Sequence, residues 1–114
     1  MAVSTETLVT FTRGLAVDQV EAGITNIWTD SEVINSINQA KHDLYGRRPD
    51  AFSVSAMIVE EPADIAALGS LVIAKWAEFS LCLKASSVLM DQKSKDSYYR
   101  KASEQNAEKY LRSI

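Results

Sequence analysis

Little in this chain punctuates or cross-links it. Its 114 residues include one cysteine, one histidine, two prolines and four glycines. A lone thiol, Cys82, excludes an internal disulfide and any multi-cysteine metal centre. The scarcity of Gly and Pro leaves few positions at which regular structure must break. No internal repeat or low-complexity tract is present. The opening MAVSTETLV has neither a basic segment nor a long apolar one, so no signal peptide is expected. The longest uncharged run of the most apolar region, Ile65–Ala74, is about half of the roughly 20 residues that a membrane span needs. A soluble chain with no membrane partner is therefore expected. Fifteen acidic residues outnumber twelve basic ones, for a net charge of −3. That balance argues against the basic surface of a nucleic-acid binder. It leaves room for a protein past which DNA slides without being gripped.

What the chain does have is helical spacing of apolar residues. A short helix is predicted over Thr5–Gly14, with Leu8, Phe11 and Leu15 on one stripe. An irregular connection follows, with a brief extended piece at Ile24–Trp28. The second helix is strongly signalled by TDSE. Thr29 can cap the free amides while Glu32 reaches back, and Ile27 can staple onto Val33. Asp30 and Glu32 suit the positive end of the helix dipole. Its buried stripe is Val33, Ile34, Ile37, Leu44 and Tyr45. Lys41 falls on that stripe and is expected to snorkel. Gly46 is read as its end, with Pro49 forcing Arg48 out of helical geometry. Alternation at Phe52, Val54 and Ala56 suggests a strand or an extended arm. A third, long helix is predicted from Pro62 to about Val88. Ile65, Leu68, Val72, Trp76, Phe79 and Leu83 lie on one face, and Leu71, Ala74, Leu81, Ala85 and Val88 on another. A helix apolar nearly all round must be covered on more than one side. The fourth, over Ser94–Arg112, has a thin stripe of Tyr99, Ala102, Tyr110 and Leu111. Asp96–Arg100 and Glu108–Arg112 pair along it. The expected fold is mostly α: a four-helix bundle-like single domain with one long central helix and an extended connection after the second helix.

Candidate chemistry is sparse. His42 could act as a general acid or base, but its neighbour Asp43 does not share its helix face. The simpler reading is a solvated histidine on a polar flank. Cys82, among Leu81, Leu83 and Phe79, reads as a small buried hydrophobe rather than a reactive thiol. Glu60, Glu61 and Asp64 read as dipole complementation at the start of the third helix. The alternative is an acidic wall that repels phosphates. Arg47 and Arg48 suit bidentate carboxylate pairing, within the fold or across a subunit contact. Trp28 and Trp76 are core or interface anchors. Nothing encodes a metal, phosphate or cofactor site, so neither enzymatic activity nor a cofactor is expected.

The segment WTDSEVINSINQAKHDLYGRRPDAF resembles the signature of small phage adaptor (head–tail connector) proteins. There a Trp-Ser/Thr-Asp-x-Glu opening leads into a helix with an Asn two turns on, and Pro-Asp/Glu-Ala follows its end. Trp28, Thr29, Asp30, Glu32, Asn38, Pro49, Asp50 and Ala51 match that pattern. LVIAKWAEFSLCLKASS is similar to the family's central helix, and SYYRKASEQNAEKYL to its closing helix. KASSVLMDQKSKD departs from the family's Leu-Ser-x-Asp junction, and insertion of a C-terminal tail into the portal is not expected. The resemblance implies a virion protein of the neck. It forms a ring, commonly of twelve subunits, beneath the portal protein. The ring extends the channel for genomic DNA, without specific binding, and docks the tail or the next neck protein. The expected subunit or portal interface comprises Arg47, Arg48, Phe52, Trp76, Tyr99, Arg100, Tyr110 and Arg112. Glu60, Glu61 and Asp64 are expected to face the channel. The alternative is a small helical regulatory or binding module acting as a dimer.

Overall fold

The computed structural model describes residues 2–16, 28–52, 61–92 and 97–114. Its elements are strand β1 (Ala2–Ser4), helix α1 (Thr5–Leu15), helix α2 (Asp30–Arg47), a 3-10 turn (Pro49–Phe52), strand β2 (Ser70–Val72), helix α3 (Lys75–Asp91) and helix α4 (Ser97–Ser113). The fold is mostly helical, with four helices gathered around one core. The radius of gyration of 13.9 Å is close to the roughly 13 Å expected of a folded chain of this length. The predicted pieces at Ile24–Trp28, Val54–Glu60 and Ser94–Asp96, including the staple through Ile27 and the Asp96–Arg100 pair, fall wholly or mainly outside the described residues.

The first two helices owe their boundaries to local causes. The Ser4 side chain accepts from the Thr7 amide at 3.2 Å and starts α1. Thr29 and Glu32 form the reciprocal capping box at the start of α2. That helix continues through Gly46 to Arg47, and Pro49 then diverts the chain into the 3-10 turn. Along α2, Val33, Ile37, Ala40 and Leu44 are wholly buried at three- and four-residue spacing. The buried face of α1 is Thr5, Leu8 and Thr12, so Phe11 is rotated off it and stands 46% exposed.

The third predicted helix is the main correction. No helix begins at Pro62; residues 61–66 have no regular structure, and α3 starts only at Lys75. The reason lies in ALGSLVI. A turn closes with the Gly69 amide donating to the Ala66 carbonyl at 2.9 Å. A Cβ at Gly69 would lie 3.3 Å from that carbonyl oxygen, so only glycine fits there without a shift. From Ser70 the side chains alternate between solvent and core, with Leu71 and Ile73 buried and Val72 exposed. The backbone has a strand to pair with: Ala2, Val3 and Ser4 lie opposite Val72, Leu71 and Ser70 in an antiparallel pair. Tertiary pairing thus wins over helical spacing.

From Ala77 onward α3 is the central element. Ala77, Ser80, Leu81, Cys82, Leu83, Ala85, Ser86, Ser87, Leu89 and Met90 are all buried. Apolar residues of α1 and α2 pack there, while α4 presents Ser103, Asn106 and Tyr110.

Candidate interaction surface

Two features of the sequence converge where α2 ends. Arg48 donates through Nε and Nη2 to both carboxylate oxygens of Asp50, at 2.9 and 2.8 Å. This bidentate bond raises the Arg48 pKa and lowers that of Asp50. The third arm of the guanidinium donates to the Ile114 carbonyl at 3.1 Å. Its carbon lies 4.6 Å from the centre of the Trp76 ring. Arg48 therefore joins the 3-10 turn, the start of α3 and the end of α4. Arg47 points to a different partner, Asp43, at 3.0 Å. The expected carboxylate pairing of both arginines is thus satisfied within the chain.

Beside this junction the surface is apolar. Trp76 and Phe79, three residues apart on α3, are 43% and 48% exposed. Phe11 of α1 meets Phe79 edge to face, with ring centres 5.8 Å apart. Val72 and Leu68 are exposed on the approach to α3. A cavity of about 190 Å³ opens beside the two phenylalanines, lined by Val3, Leu8 and Cys82, with Lys75 and Glu78 at its edge. Cys82 is buried, and desolvation pushes its thiol up to about 11. It is a packed apolar side chain, as expected, with little thiolate at neutral pH.

On another face α2 clasps the irregular segment 61–65 with polar side chains. The Asn38 amide accepts from the Ile65 amide at 2.9 Å and donates to the Ile65 carbonyl at 3.3 Å. The buried Lys41 ammonium donates to the Pro62 carbonyl and to Asp64, the latter at 2.9 Å. It does not snorkel to water but is only 2% exposed. His42 Nδ1 lies 2.6 Å from Glu61, with the histidine 80% exposed. Glu61 and Asp64 thus stand opposite the basic side chains of α2, and among the described residues no helix starts there for them to complement. Glu60 is outside the described residues.

The residues expected at an interface separate by burial. Phe52 is 3% exposed and packs beside Tyr45, and Tyr110 is 1% exposed. Both are corrected to core residues, because their rings are consumed inside the chain. The Tyr110 hydroxyl donates to Asp43 at 2.6 Å, on the same oxygen that Arg47 reaches. Burial pushes the Asp43 carboxyl up, but the bonds from Tyr110 and Arg47 outweigh it and hold the group below its ordinary value. Tyr99 is half-buried and sits edge-on to the buried Trp28 at 5.8 Å. Arg100 and Arg112 are exposed on α4, the latter paired with Glu108. Trp76 alone of the expected aromatics combines exposure with an apolar surround. Phe79, one turn on, and Phe11, in contact with Phe79, make that surround. The signal for Phe11 was its one-residue offset from the Thr5–Leu8–Thr12 face.

Among the described residues no three His, Cys, Asp or Glu side chains are grouped to hold a metal ion, and no helix is long and apolar enough to cross a membrane. No family model, curated protein or solved structure matches this chain.

Proposed function

We propose that the chain is a structural subunit that acts by assembly, as a phage head-to-tail adaptor. Copies form a ring below the portal protein, carry the DNA channel onward and dock the tail or the next neck protein. One observation carries this reading: exposed Trp76 and Phe79, one turn apart on α3, form an apolar patch with Phe11, which meets Phe79 edge to face, while most other large apolar side chains among the described residues are buried. Such a patch is costly for a free monomer and marks a surface that a protein partner covers. Arg48, stacked on Trp76, and the exposed Arg47, Arg100 and Arg112 supply polar contacts around it or on the opposite side. The resemblance of the Trp28–Phe52 segment to adaptor proteins supplies the setting. The net charge of −3 suits a wall past which DNA moves without sticking.

The reading is tested in a phage whose genome encodes this chain. A stop codon early in the coding sequence is expected to yield DNA-filled heads without tails, and supplying the protein in trans restores infectivity. Labelled copies should appear in images as a ring at the neck. Normally tailed particles lacking the protein would refute the role. A stable two-copy species that never enlarges would favour a dimeric binding module.

A further inference from the structure

The apolar patch has a counterpart on the same chain. Among the described residues, six large apolar side chains are exposed, and five of them belong to α1, β2, the preceding turn or the first turns of α3. The sixth is Leu111 on α4, 51% exposed. Leu111 lies one turn from Glu108 on the helix surface, and the Glu108 carboxylate holds Arg112 in an exposed ion pair. The cavity beside Phe11 and Phe79 has about 190 Å³ of room, equivalent to about six waters at liquid density. That suits one aliphatic side chain and is too little for a helix. Its edge carries Lys75 and Glu78, three residues apart on α3. The knob thus has an acid–base pair to one side of it, and the hole has a base and an acid at its edge.

We propose that a second copy of this chain seats its Leu111 in the cavity between α1 and α3. Glu108 of the incoming helix then faces Lys75, and Arg112 faces Glu78. The Glu108–Arg112 pair is solvent-exposed, so exchanging it for contacts across an interface costs little. Because the knob and the hole are different surfaces, the contact is heterologous: each copy keeps a free knob and a free hole, and growth ends only when a ring closes. This contact gives the proposed adaptor ring its subunit interface and rests on that reading for its place in a particle. Its chemistry needs only the chain itself.

The test uses the purified full chain and sedimentation over a rising concentration series. Species larger than a dimer are expected to accumulate. Leu111→Asp, at an exposed site, should keep the helical circular dichroism and weaken association about tenfold or more. So should the charge reversals Lys75→Glu/Glu78→Lys and Glu108→Lys/Arg112→Glu, each alone. Mixed in equal amounts, the two reversed proteins should assemble as well as the original. In the mixture every hole meets a knob of matching charge. A chain that stays monomeric up to about millimolar concentration, or that stops at a dimer, would overturn the proposal. So would association unchanged by Leu111→Asp, which would mean that something else fills the cavity, or a mixture no better than its components. None of these readouts involves a phage, so tailed particles in the absence of the chain would refute the adaptor role and leave this contact standing.

Discussion

Helix α3 is gripped on two sides by unlike surfaces. Toward α2 the contact is aliphatic: Val33, Ile37, Ala40 and Leu44 are wholly buried, and the core residues of α3 lie among them. Toward α4, beside the buried Tyr110, small polar groups dominate. Ser87 and Ser103 each donate to the other's carbonyl, at 3.0 and 2.9 Å. Asn106 donates to Ser86 at 3.0 Å and to the Leu15 carbonyl at 3.3 Å. Near the end of α4, Ser113 donates to the Tyr110 carbonyl, which leaves Ser80 as the donor in their 2.6 Å contact. The two sides divide the labour. Buried apolar area supplies most of the folding free energy, and a packed aliphatic face tolerates sliding of similar shapes. Paired hydroxyls and an amide contribute less net free energy but leave unsatisfied groups in any other register. The α2 side stabilises; the α4 side fixes where α4 lies, and hence where Leu111, Glu108 and Arg112 point.

The contrast can be broken most forcefully from the aliphatic side. Leu44→Ala should cost about 2–5 kcal/mol in denaturant unfolding, because a wholly buried side chain leaves a cavity. A loss under 1 kcal/mol would mean that this face is not the main source of stability. On the polar side Asn106→Ala should cost about 1–3 kcal/mol, since the Ser86 hydroxyl and the Leu15 carbonyl lose their donor. The serine pair sharpens the point. Ser87→Ala and Ser103→Ala should each cost about 1 kcal/mol, and the double variant less than their sum, because the two hydroxyls also meet each other at 3.2 Å and that contact is lost only once. Strict additivity would show that the pair does not act as a unit.

The smallest effects are those of pH. Burial, and then the bond to Asp43, hold the Tyr110 phenol above its ordinary value. The folded chain keeps a proton that an unfolded tyrosine releases near about pH 10. The contribution is whole below that pH and is lost as pH rises through the folded value. Asp43 is held below its ordinary value, so its contribution is whole above about pH 4 and is lost as pH falls. Tyr110→Phe should therefore flatten the alkaline limb of a melting-temperature profile, and Asp43→Asn the acid limb. Unchanged limbs would deny the link between α2 and α4.

How far these regions were legible in the sequence follows from how local their causes are. The capping box at Thr29 and the stripe of α2 lie within a few residues, and both appear where the spacing placed them. The polar face of α4 was hidden, because Ser103 and Asn106 read as solvent-facing until Ser86 and Ser87 are brought opposite them. The first part of the predicted third helix failed for the same reason. Val72 and Ile73 suit a helix or a strand equally, and β1, about 70 residues away in sequence, decides the matter. The exposed patch was half legible. Trp76 stood out by type, whereas Phe52 and Tyr110, equally aromatic, are absorbed by the core.

The grip of Asn38 on Ile65 has a consequence for what that position tolerates. One amide both donates and accepts a hydrogen bond across a single residue, as a neighbouring strand would. Aspartate keeps the acceptor and loses the donor, leucine keeps neither, and glutamine moves both a carbon too far. A segment with no sheet partner is thus held by the shortest side chain able to impersonate a backbone.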